Sequence, residues 1–349
     1  LIETNLKPQQ VTWKSELKSA VTSYHELSKI LDTKIPQTPY PIFIPRLIAH
    51  KIKEAGKDSP LWRQFVPCSS ELNEAGSVDP IADHLFSKPG GLIHRYSNRV
   101  LLSPTSVCPI QCRYCFRKNE LHNGDPLFHS NISEAKNYLL EHEEVEEVIL
   151  TGGDPLMLSH EKLLHILKTL SSIDHIKMIR FHSRMPVIIP SRIDPRFLNL
   201  MNWANKKFDI VSLVIHTNHI SEWTPEFLGS LNLLRKTQVN LMSQTVLLKN
   251  VNDDSETLSL LFKLLHKNGV RPYYLHHPDS AKGAMHFTLP LEEGREIYHE
   301  VKRSLPGFIL PHYVVELPDG NGKALAFSSE NEEGWIGQSG KRIETEWVN

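Results

Sequence analysis

A chain of 349 residues with 39 Lys+Arg against 40 Asp+Glu is nearly neutral, which argues against a general nucleic-acid binder. Its 40% hydrophobic and 23% charged residues exclude a disordered chain and suit one large α/β domain with extras or two ordinary domains. No apolar run nears the ~20 residues of a membrane span, no signal-peptide core opens the chain, and four cysteines make no disulfide scaffold, so a cytoplasmic protein without membrane partners is expected.

The first 90 residues read as helical and irregular. Trp13 to Leu31 shows loose helical periodicity, with Leu17, Val21, Tyr24 and Leu27 on one face. A Pro-rich stretch from Ile35 to Pro45 breaks that pattern, and Ile48 to Glu54 suggests another short helix. From about residue 99, β-rich runs at Val100–Leu102, Val145–Leu150, Ile176–Phe181, Ile210–Ile215, Val239–Leu248 and Pro272–Leu275 alternate with helical stretches. Those stretches are Ser133–Glu141, Glu161–Leu170, Pro195–Asn205, Pro225–Lys236, Asp254–Lys267 and Leu291–Lys302. Such alternation implies βαβ units and a parallel sheet. Six units favour an incomplete (β/α)6 barrel of TIM type, with a doubly wound open sheet as the runner-up. Phe308–Leu317 reads as one extra strand, followed by a Gly-rich turn and a polar tail. The expected division is residues 1–95 as a mainly helical extension, 96–305 as the barrel, and 306–349 as the terminal strand, loop and tail.

Three of the four cysteines fall within eight positions, Cys108-Pro-Ile-Gln-Cys112-Arg-Tyr-Cys115, directly after the first strand of the repeat. Three thiolates on one loop can hold three irons of a [4Fe–4S] cluster and leave the fourth open to an amine and a carboxylate of a small ligand. Structural zinc prefers four ligands in CxxC-type pairs, and no second pair exists. Cys68 lies well upstream and reads as a structural thiol.

In a parallel barrel the chemistry gathers at the C-terminal ends of the strands. Every expected strand delivers polar groups there: Thr151-Gly152-Gly153-Asp154, His182-Ser183-Arg184, His216-Thr217-Asn218-His219, Gln244, and His276-His277-Pro278-Asp279. Together they suggest a functional rim.

The CxxxCxxC spacing with Tyr114 before its last cysteine resembles the signature of radical S-adenosylmethionine (SAM) enzymes. That resemblance implies that SAM caps the open iron and that its cleavage yields a 5′-deoxyadenosyl radical. Gly152, Gly153 and Asp154 resemble the family's motif for the SAM amino group, and Arg184, His216 and Gln244 are further expected SAM contacts. Longer stretches narrow the likeness to lysine 2,3-aminomutases and their relatives. They include His94-Arg95-Tyr96-Ser97-Asn98-Arg99, Cys112-Arg113-Tyr114-Cys115-Phe116-Arg117, Leu150 to Leu156, Ser183 to Val187, Gln244 to Leu248 and Arg271-Pro272-Tyr273-Tyr274. By this resemblance the protein is an isomerase that moves the amino group of L-lysine from the α- to the β-carbon, with pyridoxal phosphate (PLP) carrying the nitrogen. It implies Lys323, on a glycine-flanked loop, as the Schiff-base lysine and catalytic residue. Arg95, Tyr96 and Arg99 are implied as phosphate ligands, and Arg117 as partner of the substrate carboxylate. Asp279 and Glu316 are implied as the acids for the distal ammonium.

Two features depart from the free-lysine enzymes. Glu316 stands where they have an aspartate, and the sequence ends at Asn349 with Cys115 its last cysteine, so no zinc site is expected. The short tail and the acid pair of Asp279 and Glu316 also resemble the branch that supplies β-lysine to elongation factor P, whereas Gly320-Asn321-Gly322-Lys323 is more similar to the free-lysine branch. The remaining expectations are an electron donor such as flavodoxin or ferredoxin, a homo-oligomer, and no nucleic-acid partner. The alternatives are an aminomutase of the same family for another basic amino acid, and a radical SAM enzyme independent of PLP.

Overall fold

The computed structural model describes residues 12–326, together with 335–336 and 342–343. The rest of the expected tail lies outside the described residues. Four short helices come first: α1 (Trp13–Lys18), α2 (Tyr24–Leu31), α3 (Arg46–Ala55) and α4 (Pro60–Phe65). The single periodic stretch from Trp13 to Leu31 is thus two helices. Val21 breaks it by pairing in extended form with Ile44, with N···O distances of 2.7 and 3.0 Å, after which Ser23 caps α2.

A ten-stranded sheet follows in strict chain order: β1 (Ser87–Lys88), β2 (Leu92–Tyr96), β3 (Arg99–Leu102), β4 (Glu147–Leu150), β5 (Met178–Ser183), β6 (Ile210–His216), β7 (Asn240–Val246), β8 (Arg271–His276), β9 (His312–Leu317) and β10 (Gly322–Leu325). From β3 to β9 every neighbouring pair is parallel, while β1, β2 and β10 are antiparallel additions at the two ends. The crossovers run through α5 (Ile132–Leu140), α6 (His160–Leu170), α7 (Met185–Ile188) with α8 (Pro195–Ala204), α9 (Pro225–Leu234), α10 (Ser255–Lys267) and α11 (Leu291–Ser304). Six βα units are therefore present. A doubly wound sheet reverses its strand order at a switch point; this one never does, which removes that alternative.

Local chemistry explains the crossovers. Asn131, Ser159, Asp194, Thr224 and Asp254 each accept a backbone N–H at the start of α5, α6, α8, α9 and α10, and Pro195 and Pro225 occupy first turns. On β6, Val211 to Ile215 are all buried, as expected of a parallel strand covered on both faces. The buried residues of α1–α4 belong to the same apolar core as the sheet and its helices.

Among the described residues no backbone ladder joins β1 to β10. Side chains connect the two ends of the arc instead. The Lys323 N–H donates to Tyr96 Oη at 2.9 Å, Arg95 pairs with Glu316, and the Phe86 ring lies against Gly320. Gly320 has φ +71°, and a Cβ there would collide with that ring.

Candidate active site

The three clustered thiols sit on the loop after β3. Cys108 and Cys115 pack beside Ile93, Leu121, Leu127 and Phe128, while Cys112 faces Tyr114. Burial raises all three thiols. The Cys115 charge adds to the rise at Cys108, and Cys112 adds to the rise at Cys115, which reaches about 12. Only a cation can make three such neighbours thiolates together, so the donor set fits a cluster.

The loop is pinned from behind. Glu71, fully buried, receives Arg113 Nε at 2.9 Å, Arg113 Nη2, and Lys118 Nζ at 3.1 Å. Lys118 also donates to the carbonyls of Arg113 at 2.8 Å and Gly283 at 3.0 Å, and burial lowers its ammonium to about 8. The Gly152-Gly153-Asp154 turn pins it from the other side. Gly153 N–H donates to the Thr105 carbonyl at 2.8 Å and Asp154 N–H to that of Val107 at 2.9 Å. A Cβ at Gly153 would lie 2.6 Å from Ser106 C and 2.7 Å from Val107 N. Gly153→Ala should therefore displace the cysteine loop. We expect a loss of ~1–3 kcal/mol in stability and a lower iron content after reconstitution; unchanged iron would show that the loop tolerates the shift.

Asp154 is occupied within the chain. Its oxygens accept from Ser183 Oγ at 2.8 Å and from the N–H groups of Leu156, Arg184 and Met185 at 2.8 to 3.0 Å. It thus fixes the backbone that carries Arg184 rather than offering a free acceptor. Arg184 Nη1 lies 3.4 Å from Cys112 Sγ, and its Nη2 pairs with Glu222 at 2.9 Å and Gln64 at 3.0 Å. Its buried Nε has no partner. His216 on β6 and Gln244 on β7 are register partners beside it. His216 Nε2 is 3.2 Å from the Tyr114 hydroxyl, and burial, helped by the Arg184 charge, keeps this imidazole neutral.

A second group of residues lines a cavity of about 300 Å³, within the range of small-molecule sites. Its walls include Asp83, Arg95, Tyr96, Arg99, Arg180, His182, Tyr273, Tyr274 and Lys323. Lys323 is the second residue of β10, register partner of Glu316, rather than part of an open loop. Its Nζ donates to Glu316 Oε2 at 2.6 Å. Burial alone would lower this lysine, but the charges of Glu316, Tyr96 and Asp279 outweigh it and hold it protonated. Arg99 stacks on Tyr96, 3.7 Å from its ring centroid. Arg95, expected to face a phosphate, is held by Asp83 at 3.1 Å and by Glu316. His182 Nε2 is buried without a partner. Arginines, tyrosines, an imidazole with one unpartnered nitrogen and a lysine amine fit a phosphorylated aromatic aldehyde.

Asp83 joins the two regions. Only 1% exposed, it binds Arg95 and also takes Arg117 Nη2 at 2.6 Å and Nε at 3.1 Å. The structure therefore brings together Arg117, Asp279, Glu316 and Lys323, whose charges act on one another. Asp83, Arg180 and Glu71 were not anticipated. Arg180, bidentate to Glu147 at 2.9 and 2.7 Å, carried an alternation signal as a charge inside an apolar strand; Asp83 and Glu71, in irregular segments, carried none. Cys68 is half-buried, its Sγ 3.5 Å from His286 Nε2.

Residues 102–261 match the model of the radical SAM superfamily. The chain is 34% identical to L-lysine 2,3-aminomutase of Escherichia coli (strain K12), covering 89% of this chain and 93% of that one. It is 37% identical to L-lysine 2,3-aminomutase of Methanococcus maripaludis, over 78% of this chain and 62% of that one. Among the described residues no helix is long and apolar enough to cross a membrane.

Proposed function

The chain belongs to the L-lysine 2,3-aminomutase family of radical SAM isomerases, and from that membership we propose that it moves the α-amino group of L-lysine to the β-carbon with PLP as carrier. SAM and a [4Fe–4S] cluster follow from the family. PLP and the substrate rest on one observation above others: Lys323, ion-paired to Glu316, in a cavity walled by arginines and tyrosines. When bound, the cluster and SAM supply hydrogen-atom abstraction, and PLP supplies a covalent carrier for the migrating nitrogen.

The chain's own residues do the rest. Cys108, Cys112 and Cys115 would hold the cluster, and Arg184, just past the end of β5, would contact SAM together with His216 on β6 and Gln244 on β7. Arg99 and Tyr96 meet the cofactor phosphate. Arg117, oriented by Asp83, offers its remaining donors to the substrate carboxylate. Asp279 takes the distal ammonium. Glu316 keeps Lys323 protonated and in place whenever that lysine is not engaged with the cofactor.

The test is an ultraviolet–visible spectrum of anaerobically reconstituted protein before and after L-lysine. We expect a band from PLP that shifts with lysine, fixation of PLP onto Lys323 by borohydride, and β-lysine as product. A cluster band without any PLP band would leave a radical SAM enzyme independent of PLP. Because Glu316 is already engaged by Arg95 and Lys323, a substrate with a shorter basic side chain is a second reading; turnover of ornithine in preference to lysine would establish it.

A pH dependence follows. Burial and the Glu316 charge push the Asp279 carboxyl up to about 7. The group is ionised above that pH and neutral below it, and only the ionised form pairs with an ammonium. KM for lysine should rise as pH falls from about 8 to about 6, and Asp279→Asn should raise KM and flatten the profile. An unchanged profile in that variant would remove Asp279 from the substrate site.

A further inference from the structure

We propose that His94, His142 and Glu144 form a site for one borderline divalent cation, of which Zn²⁺ is the best match, on the outer side of β2. One donor atom from each of the three lies within 4.8 Å of the others. Two imidazoles and a carboxylate are the ligand set that zinc takes when thiols are absent, with water completing four positions.

The surroundings prepare the ligands. His142 Nδ1 is 2.7 Å from the Tyr138 carbonyl oxygen. A carbonyl only accepts, so Nδ1 carries the hydrogen and Nε2 carries the lone pair. A ligating histidine typically donates its other ring N–H to such an acceptor. His94 Nδ1 is 2.7 Å from the hydroxyl of the same tyrosine, which accepts as readily as it donates. His94 Nε2 has a long contact, 3.4 Å, with the Ser97 carbonyl, so changing tautomer frees it at little cost. The His142 ring is fixed by stacking on Tyr138, with centroids 3.8 Å apart and planes 18° apart. Glu144 is exposed and both histidines are half-buried, so a hydrated ion can reach the site.

Its position gives it a consequence. His94 immediately precedes Arg95 and Tyr96 on β2, while His142 and Glu144 lie in the turn between α5 and β4. A cation here ties the strand that carries the cavity's residues to the helix that follows the cysteine loop. The expectation of no zinc rested on cysteine count, and this site uses no cysteine.

The experiment is equilibrium dialysis of the cluster-loaded protein against ZnCl2, with zinc and iron both counted and thermal unfolding recorded with and without zinc. Loading the cluster first keeps its thiols from competing. We expect one zinc per chain beyond the cluster and a higher unfolding temperature with zinc. His142→Ala and Glu144→Gln should each weaken zinc binding at least tenfold while keeping the wild-type iron content. Glu144→Gln changes only an exposed side chain, so folding does not confound it. No zinc on the wild-type protein, or zinc binding unaltered in both variants, would overturn the proposal.

Discussion

Replacing Lys323 with alanine should abolish turnover, by ~10³-fold or more, the scale of losing a covalent catalytic group. The same variant should lose the borohydride-stable PLP adduct and keep its iron. The selectivity has a structural reason. Lys323 stands on β10, at the seam of the arc, and its Nζ touches only Glu316 among the site's acids at hydrogen-bond distance. The cysteine loop is held instead by Glu71 and by the turn at Gly153. Removing the lysine frees the Glu316 carboxylate to remain on Arg95, so the fold should change little. A variant that still fixed PLP and still turned over would place the carrier lysine elsewhere.

A large loss of stability should follow Asp83→Ala. Asp83 neutralises two buried arginines, Arg95 and Arg117, whose side chains are 6% and 5% exposed. Removing one partner of a buried ion pair costs about 3–5 kcal/mol, because the remaining charge is left in a poor solvent. Here a second charge also loses a partner, though Glu316 still serves Arg95. Denaturant unfolding measures the loss. Kinetics on the folded fraction separates the two roles of this acid. If Asp83 orients Arg117 toward the substrate carboxylate, KM for lysine rises about tenfold or more, the effect of ~1.4 kcal/mol, with kcat less affected. Asp83→Asn keeps the shape and one acceptor and should show a smaller version of both effects. A destabilised variant with wild-type KM would leave Asp83 a purely structural residue.

These two predictions lie on opposite sides of what the sequence discloses. Lys323 stands out in Gly320-Asn321-Gly322-Lys323 once the family likeness is recognised, although its place on a strand does not. The six βα units were legible because parallel strands buried on both faces leave apolar runs, and because capping residues mark the helices between them. The ends of the arc were not legible. β1, β2 and β10 are short, antiparallel and half-polar, so neither periodicity nor composition separates them from loops. The break at Val21 was equally hidden, since it depends on Ile44, 23 residues away, for its partner.

The sequence by itself determined the chemistry that local spacing encodes: three thiols on one loop, polar groups at the ends of six strands, and the alternation of strand with helix. Spacing suffices there because ligands on one loop, and residues at one end of parallel strands, are neighbours by construction. Only the tertiary structure decided which charges neutralise which. Asp83 serves Arg95 and Arg117, Glu71 serves Arg113 and Lys118, Glu316 serves Arg95 and Lys323, and Asp154 is consumed by the backbone beside Arg184. These partners lie up to 221 residues apart. A buried charge needs a partner, but nothing local says which, because the pairing is made where distant segments are packed away from water.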